Sequence, residues 1–137
     1  MCGRYQFSME ESRDIRDIVA EVERKYGVTG MKTGEIFPTN LVPVLLPSGS
    51  SATPELLTWG FPNFRNKGVI INARAETAQE KRMFQRCVAE KRCVIPTTGF
   101  YEWDAEKKKY LFRLPQGPEL YLAGLLTSLK GRNDLRF

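Results

Sequence analysis

The stretch Arg92-Cys93-Val94-Ile95-Pro96-Thr97-Thr98-Gly99-Phe100-Tyr101-Glu102-Trp103 decides how this chain folds. Its residues 93–100 form a run rich in β-branched and aromatic side chains, which reads as strand. Working outward, β-type runs recur at residues 41–46, 55–59, 69–72, 109–114 and 119–126, separated by Pro, Gly and Ser clusters that signal turns. Helical spacing is confined to two places. Near the start, Ser8 with Glu11 three residues on offers a capping box, and Ile15, Ile18, Val19, Val22 and Tyr26 recur on one face until Gly27 closes the helix. A second helix is expected over part of residues 77–90. Many short strands with two helices predict an α+β fold built on a mostly antiparallel, curved, barrel-like sheet with a few flanking helices. Residues 130–134 read as a turn, and residues 135–137 as a strand that stops after three residues, so the sequence is expected to be a single domain, 1–137, truncated at its C-terminus.

Composition sets outer bounds on function. The 137 residues, 42% hydrophobic and 27% charged, suit one globular domain. No apolar run approaches the roughly 20 residues of a membrane span, and no basic segment followed by an apolar one stands at the start. The chain is therefore expected to be cytoplasmic, without a membrane partner. Cys2, Cys87 and Cys93 make no CxxC pair and there is no histidine, so neither a metal, a disulfide framework nor any other cofactor is expected. A net charge of +5 is compatible with a polyanionic partner, although a solvated lysine-rich face gives the same number.

The start of the chain, Met1-Cys2-Gly3-Arg4-Tyr5, carries the chemistry of most interest. Removal of Met1 would expose a thiol and an α-amine on one residue, both partly nucleophilic near neutrality. Two carbons apart, they can close a five-membered ring on an aldehyde: the amine forms a Schiff base, and the thiol adds to the same carbon to give a thiazolidine. With Met1 attached the amine is tied into a peptide bond and the ring cannot form. Position alone leaves a second reading, a buried cysteine that happens to stand second. Cys87, on the expected second helix, and Cys93, opening an apolar strand, read as buried structural cysteines.

Four ordered motifs, Met1 to Tyr5, Trp59-Gly60-Phe61-Pro62, Ile71-Asn72-Ala73-Arg74-Ala75-Glu76-Thr77 and the stretch from Arg92 to Trp103, resemble the SOS response-associated peptidase family, whose members process abasic sites. The resemblance implies a protein that recognises abasic sites in single-stranded DNA and crosslinks to the ring-opened sugar through the mature N-terminal cysteine, here Cys2. It implies that Asn72 positions the nucleophile, that Glu102 is the general acid and base, and that Arg4 and Arg74 contact phosphates flanking the lesion. A carboxylate between Tyr101 and Trp103 is expected to be partly desolvated. Trp59, Gly60 and Phe61, with Phe37-Pro38-Thr39, resemble segments that stack on or wedge between exposed bases; Trp103 and most phenylalanines are expected in the core. The molecule is expected to be a monomer, nucleoid-associated when bound to DNA.

Departures from the family are also legible. The family continues through a His-x-Arg-Met-Pro motif whose histidine helps to open the sugar ring, and no histidine is present here. Glu35 stands where the family usually has an asparagine before the Pro-Thr pair, and Trp59 to Pro62 is one residue shorter than the common Trp-Gly-x-x-Pro. Two other functions remain open at this point. The N-terminal cysteine could be an amide-cleaving nucleophile whose first substrate is its own Met1 bond. Alternatively, the chain could bind single strands through its aromatics and arginines with no covalent step.

Overall fold

The computed structural model describes residues 2–27, 29–129 and 135–137. In chain order its elements are β1 (Arg4–Phe7), α1 (Arg13–Tyr26), β2 (Gly34–Ile36), β3 (Leu41–Ser48), β4 (Ser51–Thr58), β5 (Phe61–Pro62) and β6 (Val69–Ile70). There follow α2 (Ala75–Ala78), α3 (Arg82–Glu90), β7 (Arg92–Thr97), β8 (Gly99–Trp103), β9 (Lys109–Phe112), β10 (Leu120–Leu125), β11 (Thr127–Ser128) and β12 (Leu135–Arg136). Among the described residues a four-stranded sheet runs β2-β1-β8-β9, a six-stranded sheet runs β10-β7-β3-β4-β12-β11, and β5 pairs with β6. All pairings are antiparallel except that of β12 with β4. The architecture is the expected α+β class, a curled half-barrel with few helices. The expected turn at residues 130–134 lies outside the described residues.

Prolines decide where the larger sheet opens. β3 and β4 pair along their whole length from Leu41↔Thr58 to Ser48↔Ser51, and β7 pairs fully with β10. Between β3 and β7 only Leu45↔Val94 pairs. Continuing that register would set Pro43 against Pro96 in one direction and Pro47 against Arg92 in the other. Proline has no backbone N–H to donate, so the ladder stops on both sides of one rung and the sheet curls there.

The run at residues 93–100 divides into two strands that belong to different sheets. Gly99 adopts φ 155°, and a Cβ on it would lie 2.7 Å from the Phe112 carbonyl oxygen, so the corner requires glycine. Thr97 and Thr98 are buried at the corner, where their hydroxyls donate to Leu120 O at 2.8 Å and Gln6 O at 3.3 Å. Those bonds satisfy carbonyls at the sheet junction.

The first helix begins later than its sequence suggests. Ser12, not Ser8, is the N-cap, its Oγ accepting from Ile15 N at 3.1 Å. Ser8 N instead donates to the Thr98 hydroxyl, and Glu11 receives Arg113 at 2.9 Å, so both groups of the expected Glu11-to-Ser8 N–H bond are engaged elsewhere. Ile15, Val19 and Val22 are buried against the sheet as the periodicity requires, and Gly27 ends the helix at φ 72°, its N–H donating to Glu23 O. Tyr26 lies at the surface, hydrogen-bonded to Glu55. Ser12 is fully buried and its hydroxyl also donates to Glu119 Oε1 at 2.5 Å. Ser12→Ala is therefore expected to lower stability by about 1–2 kcal/mol, read from the urea midpoint. An unchanged midpoint would mean that the cap contributes nothing net.

The main core gathers Tyr5, Phe7, Ile36, Val42, Val44, Leu57, Trp59, Cys93 and Phe137 with the helix residues. A second cluster, Phe61, Ala78, Phe84 and Cys87, seats α2 and α3. Cys87 and Cys93 are free and buried, and burial alone pushes the Cys93 thiol up to about 12.

Candidate active site at the start of the first strand

Register determines which side chains share a face. In the four-stranded sheet Tyr5 opposes Phe100 and Arg4 opposes Tyr101. Directly opposed residues project to the same side, so Phe100 and Glu102 lie on the buried side with Tyr5, while Tyr101 and Trp103 lie with Arg4 on the other. The sequence-predicted residues accordingly fall into two groups that meet at the N-terminal end of β1.

The inner group surrounds Cys2. Its thiol is half-buried and donates to Arg4 O at 2.8 Å, and Asn72 Nδ2 donates to the Cys2 carbonyl at 2.7 Å. Asn72 follows β6, whose neighbour Ile71 accepts a hydrogen bond from Trp59 Nε1 at 3.2 Å, so the buried tryptophan fixes the segment that holds residue 2. Glu102, half-buried, is close enough to act on the thiol electrostatically. Burial pushes the Cys2 thiol up, backbone hydrogen bonding at Arg4 pulls it part of the way back, and the Glu102 charge pushes it up again. The thiol is thus held mainly protonated near neutrality, and its use as a nucleophile requires a base. Cys2 and Asn72 line a cleft of about 830 Å³ together with Tyr5, Trp59, Ile71 and Phe137, among others. The Tyr5 hydroxyl is buried with no hydrogen-bond partner among the described residues, and burial keeps the phenol well above its usual range. It stays a neutral donor.

These charges predict a pH profile. Alkylation of Cys2 by iodoacetamide, followed by peptide mass spectrometry, is expected to rise at higher pH than for an ordinary cysteine. In Glu102→Gln the profile moves to lower pH, because removing a negative neighbour favours the thiolate. Superimposable profiles would place Glu102 out of reach of the sulfur.

The outer group surrounds Arg4. Its guanidinium lies over the Phe37 ring at 4.3 Å and the Trp103 ring at 5.1 Å, and donates to Glu35 Oε1 at 3.1 Å. Lys109 donates to the same oxygen at 2.6 Å and lies 4.1 Å from the Tyr101 ring centroid. Lys109 first, and Arg4 after it, hold the Glu35 carboxyl below the usual carboxylate range. Phe37 is 41% exposed at the head of a turn closed by Asn40 N to Phe37 O and by Phe37 N to Asn40 Oδ1. Thr39 in that turn has φ 72°, a costly conformation for a β-branched residue, held by Thr39 N donating to Trp59 O. Pro38 is half-buried beside it.

Several expectations are corrected here. Trp59 and Phe61 are each only 5% exposed, packed on Tyr5 and on Phe84 respectively, so neither ring face is open to a base. Gly60 is buried because its Cα approaches Val69, where a Cβ would meet a methyl at 2.6 Å, and its role is packing. Trp103, expected in the core, is 38% exposed, since β8 and β9 pair at the rim of the sheet. Arg74 is exposed between the cleft residues Ala73 and Ala75, and its carbonyl starts α2. Lys109 joins this group although no sequence motif marks it. Its signal was the Trp103↔Lys109 rung, which the aromatic-rich stretch and the following lysine run make available only once the hairpin register is known.

The fold is an α+β half-barrel in which a half-buried cysteine, ahead of the first strand, lines the cleft. The family model for SOS response associated peptidase (SRAP) matches residues 1–136, and the chain belongs to that family. It is 32% identical over 115 residues to the abasic site processing protein YoaM of Bacillus subtilis, covering 75% of this chain and 47% of YoaM. It is 25% identical over 140 residues to the abasic site processing protein YedK of Escherichia coli, covering 98% of this chain and 63% of YedK. A crystal structure of a protein from Bacteroides thetaiotaomicron has the same fold, with a TM-score of 0.72 at 21% identity over 98% of this chain and 66% of that one. The chain spans about half the length of YoaM.

Proposed function

We propose that this chain acts on abasic sites in single-stranded DNA, and that Cys2, freed of Met1, forms a thiazolidine crosslink with the ring-opened sugar. The observation that carries the reading is the setting of Cys2: a thiol lining a cleft, its carbonyl held by Asn72 and its sulfur within the field of Glu102. Relatives named as abasic site processing proteins support the abasic-site part of this reading.

In the proposed reaction the α-amine adds to the aldehyde carbon, and loss of water leaves an imine. The thiol then adds across the C=N bond, sulfur to carbon and proton to nitrogen. Glu102 accepts the proton that the amine must lose and returns one to the departing hydroxyl. Asn72 fixes the backbone of residue 2, which limits the positions that amine and sulfur can take. Arg4 and Arg74 are assigned to phosphates on either side of the lesion, and the turn Phe37-Pro38-Thr39 to an adjacent base. Trp59, Gly60 and Phe61 act by holding the site together. Removal of Met1 by the same thiol would be the chain's own peptidase step, with host processing as the competing route.

The test is denaturing gel electrophoresis and intact mass of the Met1-processed protein mixed with an abasic single-stranded oligonucleotide. A heat-stable shifted band, with a mass equal to protein plus oligonucleotide minus one water, is expected. The Arg4, Phe37 and Trp103 cluster favours a second reading, non-covalent binding of single strands. Equal retention of intact and abasic strands with no adduct would select it. Cleavage of model amides without any adduct would instead select an N-terminal nucleophile amidohydrolase.

A further inference from the structure

The cation pair at the outer face already holds an anion, and that anion is the protein's own. Arg4 and Lys109 converge on one oxygen of Glu35, at 3.1 and 2.6 Å, from three different strands. Around this pair stand the rings of Phe37, Tyr101 and Trp103, with Arg4 over two of them and Lys109 over two. Two cations sharing one oxyanion beside partly exposed rings are what recognition of a nucleotide unit requires, phosphate on the cations and base on a ring. The ion pairs are more than a quarter exposed, and pairs of that kind add little to stability, so exchanging the carboxylate for another anion costs the fold little.

We propose that Glu35 is an internal phosphate surrogate, displaced when single-stranded DNA binds, and that Lys109 joins Arg4 as a phosphate contact. The inference rests on the single-stranded DNA reading above and specifies how its outer face works. Glu35 keeps both cations positioned and offsets half of their charge while no DNA is present. It also sets a threshold: a weakly held polyanion does not dislodge it, whereas a strand anchored elsewhere on the protein does. The specificity that results is for multiply contacted strands over isolated anions.

Binding of a fluorescently labelled, lesion-free single-stranded oligonucleotide, followed by anisotropy across a salt series, tests this without involving the covalent step. Glu35→Gln is expected to bind about three- to tenfold more tightly at low salt with a nearly unchanged log Kd against log[salt] slope, because once Glu35 is displaced the same phosphates are neutralised in both complexes. Lys109→Gln is expected to weaken binding and make the slope shallower, and the double variant to lose the gain of Glu35→Gln. Circular dichroism confirms that each variant is folded, and Lys109→Gln in the unaltered background gives an independent reading should Glu35→Gln misfold. If the unaltered chain binds but Glu35→Gln binds equally or more weakly, Glu35 is a support for Arg4 and the proposal is overturned while the DNA reading stands. If no version binds at any salt concentration, the DNA reading fails and takes the proposal with it.

Discussion

Replacing Cys2 with serine is expected to reduce the yield of heat-stable adduct on an abasic single strand by about 10³-fold or more. A hydroxyl has the same reach as a thiol but is far less nucleophilic, so the ring-closing step fails while the amine remains. Alanine at position 2 removes the second nucleophile altogether and still permits Met1 removal, because the side chain is small. That variant should form only the imine, which hydrolyses on heating but is trapped by borohydride reduction. The pair of variants therefore separates the two steps: no heat-stable band in either, and a reduced, trapped band in Cys2→Ala. A heat-stable band that survives in both would mean another residue makes the bond, and the assignment of Cys2 would be wrong.

The second large effect concerns Trp59. Its ring packs on Tyr5 at 5.3 Å and on Phe137 at 6.4 Å, its Nε1 donates to Ile71 O, and its backbone carries the turn at Thr39 and Asn40. Trp59→Ala is expected to destabilise the fold by about 3–5 kcal/mol, the range for emptying a buried aromatic site. Trp59→Phe keeps most of the volume and loses the indole hydrogen bond, so its cost should be clearly smaller. Urea denaturation at matched m-values reads both. Because Trp59 positions Ile71, and through it Asn72, adduct formation should fall in Trp59→Ala even at low temperature where the chain is folded. A variant of unaltered stability that had lost affinity for single strands would return Trp59 to the base-stacking role its motif suggested.

The sequence by itself determined the class of fold and the existence of the first helix, and it singled out Cys2 as the candidate nucleophile. Each is a local property. Hydrophobic spacing from Ile15 to Val22 can be satisfied in one way, β-type runs bounded by Pro and Gly can hardly be helices, and a cysteine at position 2 offers a thiol and, without Met1, an α-amine on one residue. What sequence could not settle were questions of neighbourhood. The sequence pointed to Ser8 as the cap, and the cap is Ser12, because Ser8 N and Glu11 are engaged by Thr98 and Arg113, both far along the chain. Trp59 and Trp103 stand in similar aromatic motifs, yet one is core and the other rim, because strand register, not composition, decides which side faces the half-barrel. Lys109 and Glu35 are 74 residues apart and meet only because β1 and β8 lie between their strands. Local side-chain chemistry is written in the chain, but which groups converge on one oxygen depends on long-range pairing, and that is decided by the tertiary structure alone.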